Sequence, residues 1–105
     1  MDQSEKLHSA AVSEVFKALG HPSRLFIVER LAAAPHCVCE LSELVGADMS
    51  TVSRHLSILR SAGIVSDRKE GTTVYYSLTC TCFAQMLDGA ENIVRQRIDA
   101  QKAVV

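Results

Sequence analysis

The chain has no tryptophan, and aromatic residues make up only 5% of its 105 positions. Two prolines and five glycines are few for a domain built from strands and turns. No uninterrupted apolar run exceeds four residues (25–28 and 31–34), against the roughly 20 needed to span a bilayer. That excludes a helical membrane anchor. The opening Met1-Asp2-Gln3-Ser4-Glu5-Lys6 lacks the basic-then-apolar layout of a secretion signal, so the expected location is the cytoplasm. What the chain does have is helix formers, with Ala, Leu, Glu, Arg and Gln prominent. Its 48% of hydrophobic residues suffice for one core and argue against disorder. At this length a single domain over residues 1–105 is expected.

Cysteine is absent from the first 36 residues and then comes as two Cys-X-Cys pairs, Cys37/Cys39 and Cys80/Cys82. In a reducing compartment such pairs are not expected to form structural disulfides. They point instead to metal binding or redox sensing. The formal net charge of −1 hides an uneven distribution. Residues 36–49 carry Glu40, Glu43 and Asp48 and no cation, whereas residues 50–69 carry Arg54, Arg60, Arg68 and Lys69 against Asp67 alone. A basic segment in a neutral chain fits a small nucleic-acid footprint.

Helical spacing of Val12, Val15, Phe16 and Leu19 predicts a first helix over residues 5–19, ended by Gly20. Pro22 opens a second, which stops before Pro35. A third covers residues 38–45, with Leu41, Leu44 and Val45 turned inward and Gly46 closing it. Asp48 or Ser50 caps a fourth, whose apolar stripe is Val52, Leu56 and Leu59. Then the period changes. Residues 64–68 and 72–78 read as two strands around Lys69-Glu70-Gly71, a hairpin. A last helix runs over residues 83–100. The predicted fold is mainly α with a β-hairpin wing (α+β), in the order α-α-α-α-β-β-α.

Two short helices around a tight Gly46-Ala47-Asp48 turn make a helix-turn-helix. The second would enter the major groove of double-stranded DNA. It opens with Ser50, Thr51, Ser53, Arg54 and His55, and Arg54 is suited to bidentate contact with guanine. Arg68, Lys69 and Thr72 at the hairpin tip suit a wing laid on the DNA backbone. His55 is read as a DNA-side or packing residue and not as a metal ligand.

Three runs carry a family resemblance: Phe16-Lys17-Ala18-Leu19-Gly20-His21-Pro22-Ser23-Arg24-Leu25, Cys37-Val38-Cys39-Glu40-Leu41 and Ser50-Thr51-Val52-Ser53-Arg54-His55-Leu56. Together with Asp67-Arg68-Lys69-Glu70-Gly71 and Val74-Tyr75-Tyr76-Ser77-Leu78 they resemble the ArsR/SmtB winged-helix repressors over nearly the whole chain. The resemblance implies a homodimer on an inverted-repeat operator, released by an inducer, and no enzymatic activity. Met49 departs from the glutamine that many members carry there, which bears on the operator sequence and not on DNA binding as such.

Cys37 and Cys39 fall where arsenic-, lead- and cadmium-sensing members carry Cys-Val-Cys. Thiolates suit such soft ions, and a helix N-terminus favours the thiolate over the thiol. In a regular helix two such side chains diverge by about 200°, so chelation by both would distort the first turn. Further ligands are needed. The N-terminal segment offers only His8, His21 and His36, and Asp88, Glu91 and Asp99 on the last helix have no histidine nearby. The cadmium-type and zinc-type sites of the family are therefore incomplete here. Cys80 and Cys82 remain; at a strand end, i and i+2 share a face and converge without strain. Trivalent arsenic is the expected inducer, with cadmium, lead and zinc as alternatives and no organic cofactor. Three other functions compete: a redox or persulfide sensor of the same fold, a thiol oxidoreductase and a winged helix used only for protein contacts. The oxidoreductase lacks both Cys-X-X-Cys and a βαβ pattern.

Overall fold

The computed structural model describes residues 1–103, so the last two positions of the expected domain lie outside the described residues. Helix α1 (Gln3–Leu19) starts two residues earlier than its apolar stripe requires. Asp2 and Glu5 form a reciprocal capping box there, with bonds of 2.8 and 3.0 Å. Helix α2 (Pro22–Ala33) begins on Pro22, capped by the His21 ring. Ala34 is extended, as a residue before proline prefers, and the chain then forms a two-residue strand, β1 (His36–Cys37). Helix α3 (Val38–Val45) ends on Gly46 at φ 77°, a left-handed conformation that glycine adopts without a Cβ penalty. Asp48 caps helix α4 (Met49–Ser61) by accepting from the Thr51 N–H at 2.7 Å and the Ser50 hydroxyl at 2.9 Å. Strands β2 (Val65–Glu70) and β3 (Thr73–Leu78) follow, then helix α5 (Phe83–Ala103).

The winged helix-turn-helix is thus present, with one strand more than predicted. The sheet order is β1-β3-β2, antiparallel throughout. A two-residue strand carries no readable period, and β1 exists because β3 lies beside it. The turn of the wing hairpin is also tighter and later than expected. Glu70 pairs with Thr73, so the turn is Gly71-Thr72, and Arg68 and Lys69 belong to β2 instead of the tip. Gly71 at φ 63° takes the positive-φ position that a two-residue turn requires.

Ile27, Val28, Leu31, Leu41, Val52, Leu56, Leu59, Val65 and Phe83 form the core, together with Ala18. The stripe of α4 is fully buried, and each of its side chains contributes about 1.5–3 kcal/mol. Leu44, expected inward, is exposed, as are Val12 and Phe16 on α1. An eight-residue helix has two turns, and the face turned to the core is taken by Leu41 with Val38 and Val45 beside it, which leaves Leu44 outside. No helix among the described residues is long and apolar enough to cross a membrane.

Candidate nucleic-acid interface and thiol pairs

With Val52, Leu56 and Leu59 inward, α4 turns Ser50, Ser53 and Arg54 to solvent, and Thr51 is half-buried. Arg54 makes no ion pair among the described residues, so its guanidinium is available to a ligand. Asp48 lies near it; the capping bonds from Thr51, aided weakly by Arg54, hold the Asp48 carboxyl below the usual range.

His55 faces the other way. Its Nδ1 lies 3.4 Å from Nη1 of Arg24, and its ring is 4.6 Å from that of His21. Burial, then the neighbouring His21, Arg24 and Arg54, push its pKa below the ordinary imidazole value. Of the two roles expected for His55, the geometry supports packing. In the sequence Arg24 stands only within a motif, and His21 there and among the N-terminal imidazoles; nothing in their spacing signals that they meet α4.

On the wing, Lys69 and Thr72 are exposed, and Lys69 has no ion-pair partner among the described residues. Arg68 is already paired with Glu70 at 2.6 Å, and Arg60 with Asp67 at 2.8 Å. Two of the four cations of the basic segment are therefore neutralised within the protein. The Arg60–Asp67 bond also joins the end of α4 to β2.

The two thiol pairs depart from expectation in opposite ways. Cys37 does not lie inside a regular helix. It is the N-cap of α3, with extended backbone at φ −87°, and its partner in the sheet is Tyr75. The 200° divergence therefore does not apply, because only Cys39 lies in the helix. Neither residue is in the core: Cys37 is half-buried and Cys39 exposed. The Glu40 carboxylate accepts from the Cys37 N–H at 3.2 Å and its Sγ–H at 3.1 Å, and lies 3.3 Å from Nδ1 of His36. The thiol bond, foremost, holds the Glu40 carboxyl below its usual value.

Cys80 and Cys82 are joined in a disulfide, contrary to the expectation of free thiols. They also lie beyond the end of β3, in the connection to α5, so the strand rule that i and i+2 share a face does not govern them. The irregular backbone there brings their Cα atoms to 5.2 Å, within disulfide range. They line a cavity of about 160 Å³ with Val15, Leu19, Ile64 and Phe83. No group of three or more His, Cys, Asp or Glu side chains is poised around a metal among the described residues. Cys37 and Cys39 are not brought together with Cys80 and Cys82 into one ligand cluster.

A family model described as bacterial regulatory protein, arsR family, matches residues 21–67. An HTH-type transcriptional regulator of Methanocaldococcus jannaschii is 47% identical over 73 residues, 69% of this chain and 80% of the relative. A homologue of the cadmium resistance transcriptional regulatory protein CadC, from Staphylococcus aureus, is 38% identical over 80 residues, 75% of this chain and 66% of the relative. Among solved structures, the homodimeric winged helix-turn-helix DNA-binding domain of a Mycobacterium bovis protein matches with a TM-score of 0.82. It is 26% identical, and the match covers 95% of this chain and 93% of that one.

Proposed function

This chain belongs to the arsR family of bacterial regulatory proteins, and from that premise we propose that it is a cytoplasmic repressor that binds an inverted-repeat operator as a homodimer and is released when its thiols take up trivalent arsenic. The family makes it a DNA-binding transcriptional regulator and not an enzyme. The recognition helix contributes Ser50, Thr51, Ser53 and Arg54, and the wing contributes Lys69, Thr72 and Arg68. Arg68 must exchange Glu70 for phosphate, so its net contribution is smaller than that of Lys69.

The observation that carries the reading is a row across the sheet. Cys37 pairs with Tyr75, and Tyr75 pairs with Arg68. Cys37 therefore sits on the edge strand of the same three-stranded sheet that ends in the wing, and it is also the N-cap residue of the helix packed against α4. A ligand that moves Cys37 acts on both DNA-contacting elements. Arsenite, As(OH)₃, exchanges each hydroxyl for a thiolate with release of water and no change of oxidation state. Cys37 and Cys39 supply two sulfurs. Cys80 or Cys82, which lie apart from them in the subunit, supplies the third only when their disulfide is reduced and arsenite binding draws the pairs together, within a subunit or across the dimer. Cadmium, lead and zinc remain the alternatives, and the cadmium-resistance relative supports testing cadmium first.

The dimer reading is supported by unburied apolar surface on the two terminal helices. Leu7 is 63% exposed, Phe16 60%, Ile93 68% and Ile98 43%. The radius of gyration, 16.3 Å, exceeds the roughly 13 Å of a compact chain of this length, as protruding helices awaiting a partner would make it. Two-fold symmetry also doubles the phosphate footprint. The Cys80–Cys82 disulfide favours a second reading, a redox sensor in which oxidation of this pair is the signal.

One assay tests these readings: a band shift on a duplex that the protein itself selects from a randomised pool. Arsenite, cadmium and peroxide are added in turn, with reductant present throughout except in the peroxide arm. Release by arsenite in reductant supports the arsenic reading. Release by peroxide alone replaces it with the redox reading. In the same assay Arg54→Ala should cost about 1–3 kcal/mol and relax preference at one position per half-site. Lys69→Ala should weaken all duplexes alike and flatten the salt dependence.

A further inference from the structure

Arg24 stands on α2 and touches two other helices. Its Nε donates to the carbonyl of Ala18 at 2.6 Å, and its Nη2 lies 3.5 Å from the carbonyl of Lys17. Both carbonyls belong to the C-terminal end of α1, where the helix dipole favours a cation. The remaining arm, Nη1, reaches His55 on α4. A guanidinium stays protonated and can only donate, so the facing Nδ1 must carry its lone pair. That makes His55 neutral, with its proton on Nε2. His21 is constrained in the same way: its Nδ1 accepts from the Ser23 N–H at 3.1 Å to cap α2.

The buried stripe fixes which face of α4 lies on the core. The polar contact at the flank adds a directional restraint on small rotations about the helix axis. His55 and Arg54 are adjacent in sequence and diverge by about 100° around the helix. Holding one therefore sets where the other points.

We propose that Arg24 is the positioning residue of the recognition helix: docked on the end of α1, it holds the neutral ring of His55 and so sets the angle at which Arg54 meets DNA. The inference rests on the DNA-binding reading above. It has a proton dependence built in. The charged and titratable groups acting on His55 are His21 and Arg24 from α2 and Arg54 from its own helix, while the end of α1 presents backbone carbonyls that Arg24 already occupies. No carboxylate is among them. Burial disfavours a charge on His55, and once protonated it would lose its acceptor and face two arginines and the His21 ring with no carboxylate to offset them. The hold is therefore intact at and above the ordinary imidazole value of 6.5 and is lost as pH falls through the lowered value below it.

The test is fluorescence anisotropy with two probes, a duplex selected by the wild-type protein from a randomised pool and a random duplex of equal length. Wild-type preference for the selected duplex should hold down to about pH 6.5 and fall as the pH is lowered further, while random-duplex affinity does not fall, since histidine protonation adds positive charge. Arg24→Gln should lose about tenfold on the selected duplex, the weight of one hydrogen bond to a charged group, with little change on the random one. Because Arg24→Gln also removes a helix-end contact, circular dichroism melting accompanies it, and His55→Asn provides a second test. Its amide oxygen takes the place of Nδ1 without titrating, so the preference should persist and no longer fall in acid. Wild-type preference and pH profile in Arg24→Gln, or an unaltered pH profile in His55→Asn, overturns the proposal. If the wild-type protein enriches no duplex, the DNA-binding reading fails and the proposal fails with it.

Discussion

Two copies of the same three-residue pattern, Cys-X-Cys, occur in this chain and become different objects. Cys37 and Cys39 straddle the start of a helix, one in extended backbone and one in the first turn, and both remain thiols. Cys80 and Cys82 lie in an irregular connection and close on each other. The first pair is attached to a sheet edge, a helix cap and, through Glu40, a hydrogen-bond network. The second borders a cavity between α1, the wing sheet and the start of α5. Spacing says that two sulfurs can meet. The backbone between them decides whether they bind a ligand or each other.

The largest effect that would break this contrast is functional. Cys37→Ser/Cys39→Ser should abolish release by arsenite, removing a coupling of about 3 kcal/mol, or roughly 150-fold in operator affinity. Cys80→Ser/Cys82→Ser should only weaken it, through loss of the third sulfur. Band shifts in reductant on both double variants decide the matter, and equal behaviour of the two would mean that the pairs act as one site.

A smaller effect sharpens the contrast from the stability side. Reducing the protein opens only the Cys80–Cys82 pair. A closed loop this short stabilises by about 1.5 kcal/mol in the chain-entropy model. Thermal melts with and without reductant should differ by that amount, and the difference should vanish in Cys80→Ser/Cys82→Ser while persisting in Cys37→Ser/Cys39→Ser.

The smallest concerns Glu40. Its carboxyl is held below the usual value by the Cys37 thiol, so its capping contribution is fully present above about 4.5 and is lost as pH falls through the lowered value. Glu40→Gln keeps a reciprocal cap but removes the negative charge next to the sulfur. Arsenite should then act at a lower concentration, and acid melts should lose part of their pH dependence. An arsenite midpoint unchanged from wild type would show that the carboxylate does not restrain the thiol.

Much of this was legible in the sequence because it depends on neighbours three or four residues apart. The stripe Val52, Leu56 and Leu59, the Pro22 start, the Gly46 stop and the Asp48 cap are all local, and each helix lies where those signals put it. The exposed row Ser50, Ser53 and Arg54 follows from the same periodicity. Leu44 failed as a core residue because a two-turn helix offers one covered face, and which residues share it depends on the crossing angle with α2 and α4. The wing tip was misplaced by two residues because turn residues and a polar strand end have the same composition.

The amino-acid order alone determined the helices, the hairpin and which face of α4 is exposed, since helix periodicity and capping are settled within a few residues of chain. Only the tertiary structure decided that His36 and Cys37 are a strand, that Arg24 lies against His55 thirty-one residues away, and that two of the basic segment's cations are already paired. Those outcomes depend on which distant groups packing brings within a few ångströms. Hydrogen bonds and ion pairs act only at that range, and no local pattern encodes it.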